Sequence, residues 1–202
     1  MPAARAMQNI DPNVISAGAL VLAFLSGVTV YYGYWHWQLL LPATALLVLL
    51  SGYLDAVDGK VARLAGKACK RGDFIDHVFD RYADILMIGA VAISGWCNIY
   101  LGMLALIGVL MTSYMGTQAQ ALGIGRMYAG LLGRADRIVL MFVVPLIQFL
   151  SIWLFDVWSL DLVIVKLTWF EVMMLWFALI GNLTAVQRAL YTWKALGQEC
   201  KQ

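Results

Sequence analysis

Charge is scarce in this chain. Only 13% of its 202 residues are Asp, Glu, Lys or Arg, about half the share of an ordinary soluble domain. The mean hydropathy reaches +0.79. A water-soluble fold is excluded, and one integral membrane domain over residues 1–202 is the reading that fits. The net charge of +2 forms no basic stripe, so nucleic acid is not an expected partner. Cysteine is sparse too. Cys69, Cys97 and Cys200 are odd in number, far apart and without metal-ligand spacing, which argues against a disulfide framework. The first twelve residues lack the basic start, apolar run and small-residue cleavage site of a signal peptide, so the chain is expected to be retained whole. No internal repeat or low-complexity segment is evident.

What the chain does have is long apolar runs, at about 14–34, 38–56, 75–95, 98–121, 136–155 and 168–192. Each matches the ~20 residues needed to cross ~30 Å of hydrocarbon. The expected fold class is therefore all-α and integral to the membrane, with six transmembrane helices and a short interfacial helix over 3–12. Six spans put both termini on one side. The second linker carries Lys60, Arg63, Lys67, Lys70 and Arg71, and the fourth carries Arg126 and Arg134, with Arg137 just inside the next helix. The opposite loops contain only Lys166. The excess of basic residues predicts that these linkers and both termini are cytoplasmic. Trp35, Trp37, Trp96, Trp153, Trp158 and Trp169 fall toward the other interface, where an aromatic belt is expected.

Against this apolar background four aspartates stand within 26 positions: Asp55, Asp58, Asp76 and Asp80. Ionisable groups near a bilayer are costly and mark candidate functional sites. Asp55 and Asp58 are three apart and Asp76 and Asp80 four apart, so each pair shares a helical face. The first pair ends a helix entering the cytoplasm and the second starts the helix returning. A short hairpin can gather all four. Such a group repels itself unless cations absorb the charge, and oxygen ligands suit hard ions such as Mg²⁺ or Mn²⁺. Gly59 and Gly72 allow close approach at the two rims, and Arg63 offers a planar fork for phosphate. Two divalent ions can clamp a diphosphate and stabilise the charge released on its cleavage. A single aspartate at a helix end is usually a cap or an ion-pair partner; four on matching faces beside Gly59 and Arg63 favour a site.

The stretch from Asp55 to Asp80 reads D-A-V-D-G-K-V-A-R, eight residues, then G-D-F-I-D-H-V-F-D. It resembles, without a departure, the pattern D-x2-D-G-x2-A-R-x8-G-x3-D-x3-D of the CDP-alcohol phosphotransferases. The resemblance implies a metal-dependent transfer from a CDP-linked lipid, of the diacylglycerol or the archaeal ether type, to the hydroxyl of a small polar alcohol, with CMP released. By the same resemblance Asp55, Asp58, Asp76 and Asp80 ligate metal, and Asp80 is the general base. Gly59, Ala62 and Gly72 leave room for the cytidine, and Arg63 holds the diphosphate. A homodimer is also implied.

On the acceptor side, Arg126, Arg134 and Arg137 can converge on a phosphate, and Arg188 lies in the last apolar span, where a cation needs a partner or a polar cavity. These placements resemble the inositol-phosphate-using branch of that family. One departure is visible: Ser113-Tyr114 is followed by Gln118 and Gln120 rather than by basic residues. The glutamines can hydrogen-bond hydroxyls but cannot offset a phosphate's charge. The expected acceptor is inositol phosphate, ahead of glycerol phosphate or serine, and a weak similarity points to an archaeal-type lipid synthase. For Arg126 and Arg134 the competing explanation is topology alone.

Other residues carry smaller expectations. Asp73 complements the start of a helix, Asp84 pairs with an arginine or supports the site, and His77 packs or hydrogen-bonds without ligating. Pro12, Asn13 and Ser16 resemble the family's P-N-x-x-S/T element, which touches the donor or simply starts a helix. Gly89, Ala90, Gly102 and Gly108 permit close helix contact. Two rival readings remain: a divalent-cation transporter, which requires carboxylates near the midplane and a polar path onward, and an inert scaffold that keeps a metal site.

Overall fold

A computed structural model describes residues 7, 10–67, 69–125, 131–161 and 165–199. The chain winds through α1 (Pro12–Tyr32), α2 (Trp37–Leu64), α3 (Lys70–Ile93), α4 (Ile99–Ala121) and α5 (Arg134–Phe155). A two-residue hairpin of β1 (Leu160–Asp161) and β2 (Lys166–Leu167) leads to α6 (Trp169–Trp176), a π-helical turn (Phe177–Gly181) and α7 (Asn182–Glu199). The last three pieces form one continuous rod. Among the described residues, five helices are long and apolar enough to cross a membrane: α1, α2, α4, α5 and the rod Trp169–Gln198. The helix α3 is as long, at 24 residues, but its first half carries the charges. The interfacial helix expected over 3–12 lies mostly outside the described residues.

Local chemistry sets the helix starts. Asp11 caps α1, accepting from the Asn13 amide at 2.9 Å, with Pro12 in the first turn, where its missing N–H costs nothing. Asn98 caps α4 in the same way. Thr168 and Glu171 bond reciprocally to each other's amides at the start of α6.

Helix packing follows the small residues, as expected where lipid removes the hydrophobic drive between helices. The helix α1 packs on both α2 and α3, α2 on α5, α3 on α4, and α4 on the last rod. A Cβ on Gly27 would lie 2.6 Å from the Leu86 carbonyl oxygen, one on Gly102 2.4 Å from Ala92 Cβ, and one on Gly181 2.9 Å from the Gly108 backbone. Gly102 and Gly108 thus do what their size suggested, and Ala90 meets the Gly27 position. Gly89 does not: among the described residues nothing lies within 4 Å of where its Cβ would stand.

Two further expectations are corrected. The second helix runs eight residues beyond the apolar span that ended at 56, because Val57 and Val61 turn inward against Ile15. Trp96 is not an interfacial belt residue. It is 1% exposed, donates to the Val30 carbonyl at 3.2 Å and stacks on Trp158.

Candidate active site

The helix α2 is 28 residues long, ~42 Å at 1.5 Å per residue, so its last turns emerge from a ~30 Å core. Asp55 and Asp58 lie there. The helix α3 starts at the same end and brings Asp76 and Asp80 within its first three turns. Contrary to a simple hairpin, α2 and α3 pack little on each other. The helix α1 sits against both, and the carboxylates face one another across the space between them. One ligand oxygen each from Asp55, Asp58 and Asp76 lies within 4.8 Å of the others, and so do ligand atoms of Asp76, His77 and Asp80.

Three of the four aspartates, Asp55, Asp58 and Asp80, have a close side-chain partner. Ser16 Oγ, from α1, donates to Asp58 Oδ2 at 2.5 Å. The P-N-x-x-S element thus reaches the acidic cluster directly. Asp80 is buried, and its Oδ1 receives no aligned hydrogen bond although the Arg134 guanidinium lies against it as an ion-pair partner. The same Arg134 nitrogen contacts Asp55, so one arginine from the first turn of α5 bridges the acidic residues of α2 and α3. The four aspartates offer only oxygen, with the His77 ring beside two of them, and their charge exceeds what one guanidinium neutralises. That fits hard divalent cations.

Beside the cluster opens a cavity of about 820 Å³, walled by α3, α4, the start of α5 and α7. This is a typical volume for a small-molecule site. Asp76, His77, Asp80 and Arg81 line it from α3, Ser113, Thr117 and Gln120 from α4, and Arg134, Arg137 and Arg188 from the other helices. Arg137 is buried and pairs with buried Asp84 at 2.5 Å, the arginine pairing that was one of the two expectations for Asp84. Arg188 donates to the Thr112 carbonyl at 2.7 Å, while the Thr112 hydroxyl donates to the carbonyl of Gly181 in the π-helical turn. The irregular turn thereby fixes where Arg188 enters the cavity.

The structure therefore gathers Asp55, Asp58, Asp76 and Asp80 at one end and sets Arg134, Arg137 and Arg188 around the neighbouring cavity. Arg126 lies outside the described residues. Gly59, Ala62, Arg63 and Gly72 do not line the cavity. They lie around the exposed turn joining α2 to α3, where Arg63 Nε donates to the Gly59 carbonyl at 2.9 Å. A Cβ at Gly59 or Gly72 meets nothing nearer than 4.0 Å, so these glycines are not required by packing. His77 sits 3.9 Å from the carboxylates of both Asp73 and Asp76, closer to the acidic group than its position off their face implied. Cys97, in the turn after α3, is no nucleophile, since burial and the Glu171 carboxylate push its thiol up to about 12.

Spacing alone gave Arg81 no role, because it is adjacent to Asp80 rather than in register with it. Its signal was positional: an arginine among the carboxylates of a helix whose second half is apolar.

Residues 9–184 match the family model described as CDP-alcohol phosphatidyltransferase. The sequence is 33% identical over 152 residues to archaetidylinositol phosphate synthase of Methanothermobacter thermautotrophicus, covering 75% of this chain and 70% of that protein. The fold resembles the phosphatidylinositol phosphate synthase of Mycobacterium tuberculosis at 21% identity. Its CDP-DAG complex gives a TM-score of 0.70, covering 95% of this chain and 92% of that one. Its complex with manganese and citrate gives 0.72, covering 95% and 88%.

Proposed function

This chain belongs to the CDP-alcohol phosphatidyltransferase family, and on that premise we propose that it transfers the lipid phosphoryl group of a CDP-lipid to a hydroxyl of inositol phosphate, releasing CMP. The single observation that carries this reading is that Asp80 belongs both to the acidic cluster and to the wall of the arginine-lined cavity. A group that touches both sites can connect a metal-held donor to an acceptor.

In this reading Asp55, Asp58, Asp76 and Asp80 hold two divalent ions, Mg²⁺ or Mn²⁺. Such ions, when bound, offset the charge of the donor diphosphate. The open faces of Gly59, Ala62 and Gly72 receive the cytidine, and Arg63 turns from the Gly59 carbonyl to the diphosphate. Arg134, Arg137 and Arg188 hold the acceptor's phosphate, a planar-fork-to-oxygen match. Asp80 takes the proton of the attacking hydroxyl. The resulting P–O bond forms at the phosphorus bearing the lipid, the bond to the CMP oxygen breaks, and CMP leaves with the electron pair. The lipid tail stays in the bilayer beside exposed apolar faces such as those of Phe74 and Tyr82. The basic residues Lys60, Arg63, Lys67, Lys70 and Arg71 beside the site support a cytoplasmic placement for it and for both termini. Transport is the weaker reading, because beyond Asp84 the buried face of α3 is Met87, Ile88, Val91 and Ala92, which offers an ion nothing.

The test is CMP release from a CDP-lipid with Mn²⁺ across inositol phosphate, inositol, glycerol phosphate and serine. Inositol phosphate is expected to give the highest rate. Asp80→Asn is expected to lower it about 10²- to 10⁴-fold while Mn²⁺ still binds. Full activity in that variant would reject the base assignment.

A further inference from the structure

Arg81 is a cation that the carboxylates around it do not require. Its side chain is 31% exposed, and Nη2 stands 3.6 Å from Asp80 and 3.6 Å from Asp84. Both carboxylates have nearer partners, Asp80 in Arg134 and Asp84 in Arg137. Among the described residues Arg81 makes no hydrogen bond, although a guanidinium carries five donors. It nevertheless lines the large cavity. A half-buried, planar, permanently charged fork with unfilled donors is matched to a phosphate dianion. The α4 wall of the same cavity contributes Ser113, Thr117 and Gln120. These uncharged groups suit polyol hydroxyls and leave a phosphate's charge unmet from that side.

We infer that Arg81 binds the phosphomonoester of the acceptor and sets the preference for a phosphorylated polyol over the free polyol. The inference rests on the acceptor reading above and extends it to a residue on the metal-bearing helix itself. Arg81 pairs with that helix's carboxylates at 3.6 Å without a hydrogen bond to either, so its donors are available to the ligand. The shared chemistry, a phosphate, is also present in the CDP-lipid, and the assay separates the two sources.

The experiment measures KM and kcat for inositol phosphate, inositol and the CDP-lipid in wild type, Arg81→Gln and Arg81→Lys, with Mn²⁺ affinity recorded for each. Arg81→Gln is expected to lower the selectivity for inositol phosphate over inositol about 10- to 100-fold, mostly through acceptor KM. Donor KM should stay within about twofold, and Mn²⁺ affinity should hold or rise, because a cation 3.6 Å from Asp80 is removed. Arg81→Lys keeps the charge and loses the fork, so it should raise acceptor KM by a smaller but measurable factor, about three- to tenfold, and recover only part of the selectivity. It also serves if Arg81→Gln does not fold: an acceptor KM unchanged in Arg81→Lys would then overturn the inference. A residue that merely propped up Asp80 would weaken Mn²⁺ and donor binding together with acceptor binding, which would equally overturn it. A wild-type enzyme indifferent to the acceptor's phosphate overturns the acceptor reading and this inference with it. A selective wild type whose selectivity survives Arg81→Gln overturns this inference alone.

Discussion

Replacing Asp84 with Asn should destabilise the protein severely without emptying its metal site. The Asp84 and Arg137 side chains are 9% and 7% exposed and meet at 2.5 Å. Removing one charge leaves the other buried, which typically costs about 3–5 kcal/mol. Against a typical total stability of ~5–15 kcal/mol, that is at least about a fifth of the whole. Arg81 loses one of its two ion-pair partners in the same substitution and is expected to aggravate the loss. The double variant Asp84→Asn/Arg137→Gln removes both charges. It should recover at least about 2 kcal/mol of the single-variant loss, because no uncompensated ion remains buried. The assay is unfolding in detergent micelles followed by helical circular dichroism, completed as a double-mutant cycle. Mn²⁺ affinity should stay within about threefold of wild type, since Asp84 is not among the convergent carboxylates. If Asp84→Asn unfolds within about 1 kcal/mol of wild type, or if the two substitutions add independently, the buried pair is not the element that fixes α5 against α3.

Two other outcomes follow from the same geometry. Arg134 lies against Asp55 and Asp80, where it competes with a cation for their oxygens. Arg134→Gln should therefore tighten Mn²⁺ about 10-fold or more in a titration by electron paramagnetic resonance, while raising the KM for inositol phosphate; weaker Mn²⁺ binding would contradict the placement. Gly59 has open space where a Cβ would stand and lies inside a helix, so Gly59→Ala should hold or raise the unfolding midpoint and raise the KM for the CDP-lipid. A lowered midpoint with an unchanged KM would mean that the glycine serves the fold.

The acidic cluster was legible because its chemistry is written in a spacing: residues three and four apart share a helical face whatever the surroundings. The helices were legible as apolar runs, but their ends were not. Val57 and Val61 carry α2 past its apolar run by packing on Ile15, a tertiary contact that hydropathy does not record. Trp96 looked interfacial because it is aromatic and near a turn. Its partners Val30, Trp158 and Phe170 are remote in sequence and enclose it. Arg137 and Arg188 were visible as costly charges, yet what holds them, Asp84 and the Thr112 backbone, lies 53 and 76 residues away. Arg81 shows the limit most clearly. Its value lies in being left over once Asp80 and Asp84 have been paired, and that emerges only after every partner has been placed.

The most direct test is a Mn²⁺ titration of the purified protein in detergent, read by electron paramagnetic resonance, for wild type and for Asp76→Asn. Wild type should bind two ions per chain, and Asp76→Asn should lose at least one of them, because Asp76 belongs to both groups of convergent ligands. A wild-type protein that leaves all the Mn²⁺ free in solution, or an Asp76→Asn variant that binds it undiminished, would contradict the account.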